Sequence, residues 1–173
     1  LVFEVSKRNA WDPAETDTLG IEKYFKKHKK DYKWDIPRFK GFIIHTSDES
    51  LIKEVKKLLK KYEHKNWNAE LKKRYTDGKK LKAVYNIWKE GDNKIVDKYI
   101  FDKPDIKIAE NKARPYVGLQ GRILKKGPEE LADVRAQVVS DYQDYKEKEW
   151  LNKLRAASKI EVFDDVVKTV NNH

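Results

Sequence analysis

The sequence predicts an α+β protein in which a small antiparallel sheet is flanked by helices, preceded by a helical lead-in and closed by a long helix. Three stretches carry that expectation. RFKGFIIHT at residues 38–46 is a compact apolar run bounded by Pro37 and a Ser-Asp pair, the pattern of a buried strand. LKAVYNIWK at residues 81–89 alternates, with Leu81, Ala83, Tyr85, Ile87 and Lys89 on one side and Lys82, Val84, Asn86 and Trp88 on the other. Residues 129–157 form an unbroken helical pattern after Gly127-Pro128.

The remaining elements follow in chain order. LVFEVSKRNAW (residues 1–11) suits either a strand or a helix, because short apolar runs do not separate by periodicity; the spacing of Leu1, Val5, Arg8 and Trp11 favours a helix ending near Asp12-Pro13. Residues 13–18 read as a loop, with Thr16, Asp17 or Thr18 as the cap of the next helix. Residues 19–32 put Ile21, Tyr24, Phe25, His28 and Tyr32 on one face and lysines opposite. Pro37 stops that helix by biasing Ile36 away from the α region.

After the strand at 38–46, Ser47 or Asp48 caps a helix over residues 49–62. Its stripe of Leu51, Ile52, Val55, Leu58, Leu59 and Tyr62 is the clearest periodic signal in the chain. A shorter helix over 66–75 carries Trp67, Leu71 and Tyr75 and ends at an Asp77-Gly78 turn. Beyond the strand at 81–89, a turn at 90–93 leads to residues 94–101, which fit a short helix or an edge strand. Residues 102–114 read as loop, and 115–126 as a third strand in which Gly118 and Gly121 each mark a bulge or a close backbone approach.

Pro128 suits the first position of the long helix. Leu131, Val134, Val138, Tyr142 and Tyr145 form one stripe of it, while Trp150, Leu151 and Leu154 fall on nearly the opposite side. That implies a change of packing partner or a kink. Residues 160–163 suit a short strand and 164–170 a final helical turn. The organisation expected is therefore a lead-in over 1–36, a sheet domain over 37–127, and a closing segment over 128–173 that packs back on the lead-in.

The chain has 173 residues, of which 39% are hydrophobic and 12% aromatic, enough to bury a core. It contains no cysteine, which excludes disulfides, thiolate metal sites and cysteine nucleophiles. No apolar run reaches the roughly 18 residues of a membrane span, and the opening at Leu1 inside an apolar segment suggests a piece of a longer protein. The net charge of +10 would attract nucleic acid, anionic lipid or acidic polypeptide. Yet the lysines recur as pairs between apolar helix positions, which is the pattern of a solvated face.

Site chemistry is sparse. His28, His45, His64 and His173 lack the spacing of a metal motif, the seven glycines form no phosphate-binding loop, and no nucleophile elbow occurs, so no metal and no cofactor is expected. Asp164-Asp165 and Glu129-Glu130 suit helix N-termini better than acid–base pairs. Aromatics interleave with lysines at Tyr24-Phe25-Lys26-Lys27 and Tyr32-Lys33-Trp34, but at core-facing positions, so no nucleic-acid partner is expected from them.

Three segments resemble SurA-like periplasmic foldases of the parvulin class of peptidyl-prolyl cis-trans isomerases. They are YQDYKEKEWLNKLRAASKIEV (142–162), similar to a closing helix and terminal strand; DTLGIEKYFKKHKKDYKWDIPRFKG (17–41), similar to the helix that introduces a parvulin domain; and the strand–helix–helix order of 37–75. The resemblance implies a parvulin-like fold, a place in the periplasm or cell envelope, and unfolded or partly folded polypeptides as partners. It also implies a groove that binds an extended X-Pro segment and lowers an isomerisation barrier of about 18–20 kcal/mol.

The family's two histidines are not carried over. The first-strand His-Ile-Leu matches Phe42-Ile43-Ile44, the last-strand histidine falls at Gly118 or Leu119, and LKAVYNIWKEG stands where a glycine-rich segment belongs. The expectation is thus a non-catalytic or weakly active peptide-binding module, with candidate groove residues Phe42, Ile44, Tyr85, Trp88, Phe101, Tyr116 and Leu119. The alternatives are residual isomerase activity through His45 and a basic nucleic-acid-binding domain.

Overall fold

The structure is a computed structural model that describes residues 2–75 and 80–158. Its helices are α1 (Val2–Ser6), α2 (Asp12–Thr16), α3 (Thr18–His28), α4 (Glu49–Leu59), α5 (Trp67–Arg74), α6 (Lys94–Tyr99) and α7 (Arg135–Ala157). Its strands are β1 (Arg38–Thr46), β2 (Leu81–Lys89) and β3 (Tyr116–Leu124). The protein is α+β, with a three-stranded antiparallel sheet in the order β2-β1-β3. It divides into two compact units, one of Leu1–Asp31 with Glu129–His173 and one of Tyr32–Pro128.

In the first unit α7 packs on α2 and α3. The lead-in does not stop at Pro13. A π-helical turn over Lys7–Trp11 runs directly into α2, so the loop expected at 13–18 shrinks to Asp17. A wider turn ahead of proline accounts for this, since it relieves the clash between the Pro13 ring and the carbonyl four residues earlier. Asp17 then caps α3, its Oδ1 accepting the Gly20 N–H at 2.9 Å, while its Oδ2 accepts the Tyr142 hydroxyl of α7 at 2.6 Å. Trp11 donates its indole N–H to Glu147, and Gln143 donates to the Trp11 carbonyl.

The long helix starts later than its sequence pattern suggests. A 3₁₀ turn at Leu131–Asp133 precedes it, held by a reciprocal cap in which the Asp133 carboxylate accepts the N–H groups of Glu129 (2.9 Å) and Glu130 (3.2 Å). That cap ends the turn before regular helix begins at Arg135, so Pro128 is not its first residue. Val138 and Tyr142 are buried, Trp150 and Leu151 half-buried and Leu154 exposed, along one continuous helix. The strand and helical turn expected at 160–170 and the turn at Asp77-Gly78 lie outside the described residues.

The second unit is built on β1. It pairs along all nine residues with β2 and with β3, so it lies between two neighbours, and helices pack on both of its faces. This is why its apolar residues run together as Phe42-Ile43-Ile44 instead of alternating. On one face Phe42 and Ile44 meet Val55 and Leu59 of α4, Trp67 and Leu71 of α5, and Leu81. On the other, Phe39, Ile43 and Trp88 pack under Ile95 and Val96 of α6, with Phe101, Ile108, Val117 and Leu119 around them.

Asp48 is the cap of α4, accepting the Ser50 N–H at 2.9 Å. Residues 94–101 resolve as helix α6 because Asn93 accepts the N–H groups of Ile95 and Val96. β3 keeps an unbroken register through Gly118, so that glycine marks a close approach and not a bulge: a Cβ there would lie 2.6 Å from Ile52 of α4.

Leu59 is fully buried beneath the sheet. Replacing it with alanine is expected to lower the unfolding free energy by about 2–5 kcal/mol, read from urea denaturation. An exposed α4 substitution such as Lys57→Ala is expected to shift it by about 0.5 kcal/mol or less.

Candidate functional site

Antiparallel pairing assigns every strand residue to a face, because partners opposite each other point the same way. Phe42, Ile44 and Tyr85 share the face covered by α4 and α5. Phe42 is 1% exposed, its ring tilted against that of Tyr85 with centroids 4.8 Å apart and close to Trp67 at 6.3 Å. Trp88, Phe101 and Leu119 belong to the opposite face, beneath α6. Tyr116 pairs with Thr46 at the strand end and is 41% exposed. The seven expected groove residues therefore do not converge: three are core on one face, three pack on the other, and one stands free of both clusters.

The positions matched to the family's histidines are closed as well. Phe42 fills the helix-covered core, and Gly118 on the same face lies beneath Ile52. The alternative position, Leu119, lies on the opposite face, half-buried against the cluster beneath α6.

On the α6 face exposed strand residues lie at both ends, Ile123 (45% exposed) opposite Phe39 and Lys82 and Val84 toward His45. His45 lies between Lys82 of β2 and Val117 of β3 in the register, so all three project from this face. Two residues along β2, Val84 is 43% exposed, and Asn86 beside it is exposed. His45 is half-buried, and its Nδ1 is shielded from water with no hydrogen-bond partner. Burial pushes the imidazole pKa below its ordinary value, and the positive charges of Lys82 and Arg114 push it further the same way.

Two other features are distinct from this one. In the first unit, a cleft of about 290 Å³ between α3 and α7 is lined by Tyr24, Tyr142 and Tyr145 with Lys23, Lys27 and Lys146. His28 is held there by the Tyr24 ring (4.3 Å) and Asp31 (3.0 Å), as a structural histidine is. Burial, then Asp141, Asp31 and Asp144, raise the pKa of Tyr24, so carboxylates offset the lysine rim. In the second unit, residues 49–74 hold nine Lys or Arg against four Asp or Glu. Lys57, Lys61 and Arg74 border a concavity of about 220 Å³ between α4 and α5.

Among the described residues no group of three His, Asp or Glu is placed to hold a metal ion, and no helix is long and apolar enough to cross a membrane. Comparison with protein-family models, with curated proteins and with solved structures returns no match.

Sequence reasoning considered His45 but not Lys82 or Arg114, which lie far from it along the chain. The only local signal was alternation in LKAVYNIWK, which puts Lys82 and Val84 on one side of β2.

Titration by NMR is expected to place the His45 midpoint below the ordinary histidine value of about 6.5, and Lys82→Gln is expected to raise it by removing a like charge. A second titration effect belongs to two tyrosines. Tyr75 donates to Glu54 at 2.8 Å, and burial and then that bond push its pKa up to about 12; burial and then the bond to Asp17 raise Tyr142 likewise. A raised folded pKa stabilises the fold fully below the unfolded value near 10 and loses that contribution as pH rises toward the folded value. Stability is therefore expected to fall between about pH 10 and 12, with a shallower decline in Tyr75→Phe, measured by denaturant midpoints across pH.

Proposed function

We propose that the unit Tyr32–Pro128 is a parvulin-like polypeptide-binding module that lacks the isomerase histidines and captures unfolded client segments, as part of a chaperone of the cell envelope. The observation that carries this reading is the incompletely covered sheet face. α6 and its flanking loop cover Phe39, Ile43 and Trp88, but on β2 Val84 stands exposed, and across the buried Ile43 of β1 the β3 residues Val117 and Leu119 are only half-buried. A strip of that kind can take alternate side chains of an extended chain.

The order of elements supports the same reading. Strand, two helices, strand, short helix and strand follow one another, with the first strand central. β2 and β3 are the two edges of the sheet, and a client strand can also pair with an edge. The burial of Phe42 and Gly118 argues against proline isomerisation at those positions.

A second reading, nucleic-acid binding, is favoured by the basic surface of α4 and α5. On that stretch Trp67 is buried at 2% exposure, which leaves Tyr62, exposed beside Lys60 and Lys61, as an aromatic for stacking on a base.

The module is expected to suppress light scattering when a urea-unfolded outer-membrane protein is diluted into a several-fold excess of it. Val84→Glu is expected to weaken that suppression, and a proline-limited refolding reaction is expected to run at its uncatalysed rate. Unchanged aggregation with the native chain removes the reading. DNA binding whose affinity falls steeply with salt would instead select the second one.

A further inference from the structure

The two edges of the sheet are not alike. β2 and β3 each pair with β1 along nine residues and have no strand on their other side. Such an edge presents a row of backbone N–H and C=O groups, and proteins blunt it with lysine, proline or a bulge. β2 is blunted in this way by Lys82 and Lys89, both exposed. β3 is not. Tyr116–Leu124 holds a single charged residue, Arg122, with no proline and an unbroken register to β1, and its Ile123 is 45% exposed.

We propose that β3 pairs antiparallel with β3 of a second copy of this chain, about a two-fold axis at Gln120. Two three-stranded sheets then become one sheet of six strands. This goes beyond the client-binding reading and is independent of it, since the dimer leaves the β2 edge and Val84 free.

The sequence of β3 is complementary to itself in that register. Pairing about Gln120 sets Tyr116 against Leu124 of the other copy, Val117 against Ile123, Gly118 against Arg122 and Leu119 against Gly121. Even-numbered residues meet even-numbered ones, so each pair joins side chains of one face. Val117 and Ile123 both lie on the α6 face, Val117 half-buried and Ile123 exposed. Their pairing covers an isoleucine that the single chain leaves in water, and a two-fold axis makes that contact twice. No other antiparallel register pairs all nine residues of the strand.

Two chains of net charge +10 must also be able to meet along this line. Each Arg122 falls opposite a glycine, so no charged residue faces another across the pair. The two Arg122 positions are four residues apart along the strand, about 13 Å. That exceeds the Debye length of about 8 Å at physiological ionic strength, so their repulsion is largely screened.

The absence of cysteine from the chain makes the test direct. Gln120→Cys puts a thiol beside its own copy on the axis, at a Cα separation of about 4.5–5.5 Å that a disulfide can span. Mild oxidation of the full chain is expected to give a covalent dimer on non-reducing gels. It should form at least about tenfold faster than with Asn86→Cys, an exposed position on β2 that the dimer does not pair. Adding Ile123→Lys to Gln120→Cys is expected to slow the crosslink about tenfold, with circular dichroism checking that the fold is kept. A mixture of Val117→Cys and Ile123→Cys chains, which needs no lysine variant, is expected to yield the mixed disulfide over either homodimer. Sedimentation equilibrium of the native chain is expected to show a weak dimer, because one strand pair buries less than a standard interface. Equal crosslinking at 120 and 86 overturns the proposal. So does a crosslink that the folded Ile123→Lys variant leaves unchanged, a mixture without preference for the mixed disulfide, or a native chain that is monomeric at every concentration.

Discussion

The double pairing of β1 is the constraint on which the second unit depends. A strand hydrogen-bonded on both edges with helices packed on both faces is buried over most of its length, and Arg38–Thr46 meets that demand with apolar residues of both parities. Phe42 and Ile44 anchor one set of helices, and Phe39 and Ile43 anchor the other. Gly41 and Gly121 face each other at the middle of the β1–β3 pair, where a Cβ on Gly121 would lie 2.7 Å from the Phe39 ring. The two strands can therefore approach closely with an aromatic ring laid over the gap.

Uneven cover follows from that arrangement. α4 and α5 together pack on one face of the sheet, but α6 is only six residues long, its Ile95 and Val96 packing with Phe39, Ile43 and Trp88. Along β2 on that face Val84 and Asn86 are exposed, and His45 at the far end is half-buried with Lys82 as its cross-strand partner. A binding strip bordered by positive charge is a consequence of one short helix on a sheet of nine-residue strands.

In the first unit a polar contact plays the organising part. Asp17 caps α3 and accepts from Tyr142 of α7 at the same time, so one carboxylate links a helix start to the helix that packs on it. Those two bonds lower the pKa of Asp17, the Tyr142 bond most, while Tyr142 is raised, which keeps the pair as carboxylate and phenol across the ordinary pH range. The sequence marked Asp17 only as one of three possible caps. Nothing local to it announced a tyrosine 125 residues away.

Much of the fold was legible in the sequence, because periodicity and capping are local. The apolar run at 38–46, the stripe on α4 and the alternation in β2 each reflect which side of an element meets water. The start of α7 and the passage of the lead-in through Pro13 were not legible in this way. Each depends on a specific hydrogen bond or a widened helical turn that competes with the regular pattern. The candidate site was the least legible. Hydrophobicity placed Phe42, Trp88 and Leu119 in one imagined groove, but alternation alone cannot say which strands are neighbours or which face a helix covers. Only the register, setting His45 opposite Lys82 and Val117, and the helices on each face decided that those side chains are divided between two cores and that Lys82 and Val84 share the face with His45.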